Sequence, residues 1–397
     1  MNKKVIPYGR QNITADDIKA VSDTLQSDFL TQGPAIKEFE NNFAEYIGAK
    51  YAVAVSNGTA ALHLCALALN VKEGQKVITS PITFAASANC IRYCGGEVIF
   101  ADIDPETYLL DIKSVRKLLE SSPAGTYHGI IPVDFAGRAV DLQAFRKLAD
   151  EYGLWIIEDA CHAPGGFFTD SNKKNQSCGN GTFADLAIFS FHPVKHIACG
   201  EGGMITTNDE SLYKRLLTLR THGITREEKL FENTPAFASG EDKADSFPAW
   251  YMEMQELGFN YRLTDFQAAL GSSQLKRADA GLVRRREIAA TYQKAFQGKD
   301  FIVSQSGVVE GHAYHLYILE VKNRLGLYNH LRANNIFAQI HYIPCHLMPY
   351  YKKFGWKEGD MPQAEAYYKN CISLPIYPTL TEEDQTFVIN KIMEFYG

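Results

Sequence analysis

From Tyr51 to about residue 221, short β-branched runs and helical patterns follow one another in strict turn, and that alternation restricts the chain to few folds. AVAVS (52–56), KVITSP (76–81), EVIFADID (97–104), GIIPVDF (129–135), LWIIEDA (154–160), FADLAIFSF (183–191) and GGMITTND (202–209) read as strands. Helices are expected at 59–70, from Phe84, and at 111–120, 141–152 and 210–221. Such an order predicts an α/β architecture, a mostly parallel sheet with helices on both faces. Ligands on these sheets sit beyond the carboxyl ends of the strands, so the residues just after each strand are where chemistry is sought.

Regularity stops at 223–258, where EKLFENTPAFASGEDKADSFPAWY predicts a long surface loop. A helical pattern resumes at Thr264 and runs far enough to link two domains. Strands near 313–321 and 337–343, with helices at 324–334 and 381–396, predict a smaller α+β domain. A chain of 397 residues has room for both. The expected division is residues 1–265 for a large domain carrying an N-terminal arm and 266–397 for the small one.

A net charge of −6 without a basic run removes the footprint of a nucleic-acid or membrane-surface binder, so the expected ligand is small. The opening MNKKVIPYGRQ lacks the apolar run of a signal peptide, and no stretch has the eighteen apolar residues of a membrane span, so a cytoplasmic enzyme is expected. The eight cysteines form no CxxC pair, which predicts reduced thiols rather than a zinc ribbon or disulfide framework. His192 with His196, and His341 with His346, are not expected to bind metal, because Pro193 and Pro344 interrupt the spacing.

Three strand ends carry candidate chemistry. In SNGTAAL (56–62) a strand runs straight into a helix, so free backbone N–H groups, Gly58 and the Thr59 hydroxyl make a phosphate cradle. LWIIEDACHAPGG (154–166) delivers Glu158 and Asp159 to a strand end, where a buried carboxylate needs a cation or strong donor. SFHPVKHIACGEGG (190–203) brings Lys195 and the Ser190 hydroxyl to the same zone, and a desolvated lysine supplies a neutral amine to attack a carbonyl or imine. Alone, these read as a capped helix, a solvated strand end and a surface lysine. Together they offer what pyridoxal phosphate requires: an anion site, a carboxylate for the pyridine nitrogen and an amine for the aldehyde. The absence of GxxxxGK[ST], and of GxGxxG after a strand, disfavours nucleotide hydrolysis and dinucleotide binding.

With YGRQNI (8–13), LTQGP (30–34), SPITFAASAN (80–89), LGFNYRLTDFQAALGSSQL (257–275) and HYIPCHLMPYY (341–351) added in fixed order, the chain resembles the DegT/StrS sugar-nucleotide aminotransferases over nearly its whole length. The resemblance implies the fold-type-I pyridoxal-phosphate scaffold. Lys195 would then be the covalent anchor and catalytic amine, Asp159 the partner of the pyridine nitrogen, Phe84 a stacking ring, and His162 a neighbour of the phenolic oxygen. Gly58, Thr59 and Ser190 would hold the phosphate, and Asn260 would complete that site from the second subunit of a homodimer with shared active sites. Thr31, Arg262, Tyr314, His315, His341 and His346 are the expected substrate contacts.

Within the family the chain is most similar to pseudaminic-acid-pathway transaminases, through EDACHA, SFHPVKHI, YHLYIL, AQIHYIPCHLMPYY and ISLPIYP. That implies L-glutamate as donor and a UDP-linked 4-keto-6-deoxy-N-acetylhexosamine as acceptor. A GDP- or dTDP-sugar 4-aminotransferase is the alternative. Lys195 argues against relatives that dehydrate with a histidine at this position, and the retained site set argues against a non-catalytic regulator. Ala198 and Cys199 depart from the paired threonines of many relatives, and the 230–249 loop is longer than the family leads one to expect.

Overall fold

A computed structural model describes residues 5–397; the first four residues of the MNKKVIPYGRQ stretch lie outside the described part. Its centre is a seven-stranded sheet: β1 (Tyr51–Val55), β2 (Lys76–Thr79), β3 (Glu97–Phe100), β4 (Tyr127–Ile131), β5 (Trp155–Asp159), β6 (Leu186–Ser190) and β7 (Gly203–Thr207). The spatial order is β1-β7-β6-β5-β4-β2-β3. Only β7 runs antiparallel to its neighbours β1 and β6. The helices α1 (Ala15–Leu25), α2 (Pro34–Ile47), α3 (Gly58–Ala68), α4 (Ala86–Tyr93), α5 (Ile112–Glu120), α6 (Leu142–Tyr152) and α7 (Glu210–Arg220) precede or connect these strands.

Apolar runs become strands here because both faces are covered: Val53, Val77, Ile130, Ile156 and Ile188 are fully buried. Asp111, Asp141 and Asp209 cap α5, α6 and α7 by accepting from backbone N–H groups in the first turn, which fixes where each crossover helix starts.

The pattern read as one long helix from Thr264 is two, α8 (Asp265–Leu275) and α9 (Ala278–Phe296). At the break the Arg277 guanidinium donates to buried Asp17 on α1 (2.5 Å) and to Asn12 O (3.4 Å), a long-range anchor with no local signature. A second, antiparallel sheet of β8 (Ile302–Gln305), β9 (Tyr317–Val321) and β10 (Cys371–Leu374) packs with α9, α10 (Arg324–Ala333) and α11 (Glu382–Tyr396). Strand Ile6–Pro7 pairs in parallel with Ile336–Phe337, which ties the N-terminal arm to this second layer. Beyond Phe337 the expected strand through 343 gives way to irregular chain.

The long surface loop is more ordered than its composition suggests. Ile224–Thr225 pairs with Glu253–Met254, Pro235–Ser239 forms a short helix, and Phe231, Phe247 and Tyr251 pack ring on ring with centroids 4.8–5.4 Å apart. Buried Glu253 ties the base of the loop, accepting from Glu232 N and Asn233 N. No helix among the described residues is long and apolar enough to cross a membrane, and all eight cysteines are unpaired.

Candidate active site

The carboxyl ends of β1, β5 and β6 open into a cavity of about 970 Å³. At the end of β1, Asn57 caps α3 by accepting from Ala60 N (2.8 Å), and the Gly58 and Thr59 amides, which a helix leaves without internal acceptors, line the cavity. A methyl group on Gly58 would meet Ser190 Cβ at 3.1 Å, and one on Gly203 would meet the Asn57 carbonyl carbon and oxygen at 2.6 Å. The cradle is closed by backbone, with space left for an anion at a helix N-terminus and no side chain filling it.

Asp159, at the end of β5, is 5 % exposed. Its Oδ2 accepts from Ser87 Oγ (2.6 Å) on α4 and its Oδ1 from Cys161 N (3.2 Å), so both oxygens are oriented and neither forms an ion pair among the described residues. Lys195 follows β6, half-buried, in a turn closed by its N–H on His192 O (2.8 Å). Burial pulls its amine below the ordinary lysine range and Arg285 adds to this, against the pull of Cys161 and Asp159. His162 Nδ1 accepts from Ala136 N (3.3 Å), leaving Nε2 facing the Tyr342 hydroxyl at 3.4 Å. Burial also holds His162 and His315 well below the usual histidine range and His341 at about 3, so the imidazoles around the amine are neutral.

Behind Asp159 lies a second acidic group facing away from the cavity. Glu158 and Asp134 are fully buried near Cys178, and burial pushes Asp134 up to about 6 and Glu158 well above the ordinary value. Gly179 N donates to Glu158 and Val140 N to Asp134.

Of the expected site residues, Gly58, Thr59, Phe84, Asp159, His162, Ser190, Lys195, His315 and His341 all line the cavity. Five do not line it: Thr31, Asn260, Arg262, Tyr314 and His346. Tyr314 is 1 % exposed, its hydroxyl donating to Gly307 O and accepting from Val309 N. His346 is fully buried with Nε2 on Glu365 (2.9 Å). Both are buried in packing, where tertiary partners invisible in the sequence hold the Tyr314 hydroxyl and His346 Nε2, while His346 Nδ1 has no partner among the described residues. Thr31 and Asn260 are exposed outside the cavity, bridged to Thr264 and Thr221, and Arg262 is bridged to Val55. Ala198 and Cys199 are both buried, and Cys199 belongs to the apolar cluster that holds Phe39, Phe191 and Ile197. Ser87, Tyr8, Gln339 and Tyr342 line the site although sequence reasoning passed over them; each lies inside or next to a motif already quoted, one residue's choice away.

An anion cradle, an oriented carboxylate and a desolvated lysine on one sheet edge fit pyridoxal phosphate and define a fold-type-I aminotransferase. The model of the DegT/DnrJ/EryC1/StrS aminotransferase family matches residues 11–393, and the chain belongs to that family. It is 38% identical over 398 residues to the spore coat polysaccharide biosynthesis protein SpsC of Bacillus subtilis, covering 98% of this chain and 96% of that one. It is 34% identical to the UDP-4-amino-4,6-dideoxy-N-acetyl-beta-L-altrosamine transaminase of Campylobacter jejuni subsp. jejuni serotype O:23/36, covering 97% and 96%. Helicobacter pylori PseC, an aminotransferase involved in the biosynthesis of pseudoaminic acid, superposes with a TM-score of 0.85 at 28% identity over 99% of both chains. The protein is a sugar aminotransferase, and its cofactor is pyridoxal phosphate.

Proposed function

We propose that the enzyme moves the amino group of L-glutamate to C4 of a UDP-linked 4-keto-6-deoxy-N-acetylhexosamine, giving UDP-4-amino-4,6-dideoxy-N-acetyl-β-L-altrosamine. The observation that carries this reading is the shape of the cavity: from the cradle and Lys195 it continues to a wall of Tyr8 and Gln339–Tyr342, with room for a sugar nucleotide beside the cofactor. The transaminase activity for which the Campylobacter relative is named supports the choice of sugar.

In this reading Gly58, Thr59 and Ser190 would hold the phosphate, Asp159 would favour the protonated pyridine nitrogen and Phe84 would stack on the ring. The cofactor supplies an electron sink for the carbanionic charge. Lys195 Nζ takes the proton from glutamate Cα and, in the second half-reaction, delivers a proton to sugar C4. Burial suits the amine to both tasks, since lowering its pKa leaves more of the lysine as the neutral amine that can take a proton. Ser87 orients the Asp159 carboxylate, and neutral His162 would offer its N–H to the cofactor's oxygen substituent. His341, its Nδ1 2.9 Å from Ser373 Oγ, stands on the sugar side.

Asn260 is exposed outside the cavity, and Trp250 and Leu257, earlier in the same stretch of chain, are 71% and 76% exposed. Such exposure is explained by a second copy covering this face and receiving Asn260 at its phosphate site. Incubation with L-glutamate and a panel of UDP-, GDP- and dTDP-linked 4-ketosugars, with products resolved by NMR, tests the assignment. Amination of the UDP-linked N-acetylhexosamine alone is expected, and preferential turnover of a GDP- or dTDP-sugar overturns it.

A further inference from the structure

Lys195 Nζ lies 3.5 Å from His315 Nε2, and much of the surrounding structure is spent on holding that imidazole in place. His315 is 4% exposed and follows Tyr314, whose backbone is in the left-handed region at φ 46°. A non-glycine residue there is strained, and the strain persists only where the surroundings over-determine it. They do so on two sides. Ala313 N donates to Gly137 O (2.7 Å) and Leu316 N to Ala136 O (3.1 Å), and a methyl group on Gly137 would meet Tyr314 N at 2.8 Å and His315 N at 3.0 Å. From α9, the buried Arg285 guanidinium donates through Nη1 to Tyr314 O (3.2 Å), His315 O (3.4 Å) and Ile376 O (3.0 Å), with no carboxylate in its hydrogen bonds. A buried cation spent on carbonyls is costly unless the segment it fixes matters.

The ring has one role open to it. His162 lies 4.3 Å away, ring centroid to centroid, and His196 5.8 Å away. Their tautomers are set elsewhere: His162 Nδ1 accepts from Ala136 N, and His196 Nε2 donates to Ala313 O (2.9 Å). The charged and titratable groups facing His315 are Lys195, His162, His196 and Arg285, and burial together with these neighbours keeps it neutral. With Nε2 accepting from the lysine, the proton sits on Nδ1, which has no partner among the described residues.

We propose that His315 is the positioning residue of Lys195: one N–H of the amine stays on His315 Nε2 in both of its protonation states, so that its lone pair, or the proton it carries, is turned into the cavity. This deepens the aminotransferase reading, on which it relies for the amine's task. It is a different role from the substrate contact that the sequence suggested for His315.

The test uses the cofactor-free protein, so that the amine is read without turnover. Acetic anhydride labelling of Lys195 is followed by peptide mass spectrometry from pH 6 to pH 11 in the wild type, His315→Phe and His315→Gln; His315→Leu serves the apolar arm if the phenylalanine does not fold. Losing the acceptor destabilises the ammonium, so His315→Phe should lower the labelling midpoint by about one pH unit, while the Gln amide oxygen restores the wild-type midpoint. With cofactor bound, the isotope effect from α-deuterated glutamate should rise in His315→Phe, with KM for glutamate little changed. Equal midpoints in all three proteins, or equal shifts in Phe and Gln, overturn the proposal. Because labelling needs no substrate, a failed ketosugar assay would count against the proposed reaction and leave this result standing.

Discussion

Gly203→Ala tests whether the anion cradle is a rigid backbone object. Gly203 lies on β7 between Val55 and Ser190, the last residues of β1 and β6, and its missing side chain faces the Asn57–Gly58 peptide. The added methyl would stand 2.6 Å from the Asn57 carbonyl carbon and oxygen and 3.0 Å from Gly58 N. That is about 0.8 Å inside ordinary contact, and the atoms in the way are backbone, which cannot swing aside as a flexible side chain does. Overpacking of this kind costs about 1–3 kcal/mol of stability. The larger effect is local: pushing the first turn of α3 off its position loses at least one charge-assisted hydrogen bond to the phosphate, worth about 1.5–3 kcal/mol, or roughly 10- to 100-fold in affinity. Pyridoxal phosphate titrated by fluorescence reads this directly, with phosphate-free pyridoxal as a second ligand and Gly281→Ala as the control. Gly281, on α9, has only Pro378 Cγ near its would-be methyl, at 3.4 Å. The variant should weaken pyridoxal phosphate much more than pyridoxal, with the control unchanged. Equal affinities for Gly203→Ala and Gly281→Ala would refute the reasoning.

Lys195→Ala should lower turnover by at least ~10²–10⁴-fold, the usual contribution of a general acid–base group, in a stopped-flow assay with glutamate. Ser87→Ala should lower kcat by about tenfold or more without abolishing cofactor binding, because the 2.6 Å bond orienting Asp159 is lost while the carboxylate remains. Asp134→Asn should change how stability depends on pH. The fold holds the Asp134 proton up to about pH 6, against 3.8 for the ordinary group, so its contribution is full below about pH 4 and is lost as pH rises through 6. Urea denaturation at pH 4.5 and 7 should show a smaller decline in the variant and up to about 2–3 kcal/mol more stability at pH 7; an unchanged decline refutes the burial-raised Asp134.

The large sheet was legible because its strands are short, mostly buried β-branched runs and α5, α6 and α7 start at the local caps Asp111, Asp141 and Asp209. The cradle, Asp159 and Lys195 were legible for the same reason: a parallel sheet delivers strand ends to one edge. What failed depended on distant partners. The break between α8 and α9 answers to Asp17, far away in the chain, and β8 and β10 are four-residue strands without a clean alternation of their own. Tyr314 and His346 resemble site residues in sequence, yet Gly307 and Val309 occupy the Tyr314 hydroxyl and Glu365 occupies His346 Nε2. The ordered loop at 223–258 rests on aromatic packing and on Glu253, neither of which has a local period.

The central claim is that Lys195 and the cradle run an amino transfer through bound pyridoxal phosphate, and the absorption spectrum of the purified protein tests it most directly. Addition of the cofactor should give the visible band of the lysine-bound form in the wild type and not in Lys195→Ala. L-Glutamate should then convert the wild-type band to the near-ultraviolet band of the aminated cofactor, with one equivalent of 2-oxoglutarate released. A wild-type protein that forms no visible band, or whose band glutamate leaves untouched while a different amino donor converts it, would contradict the account at its first half-reaction.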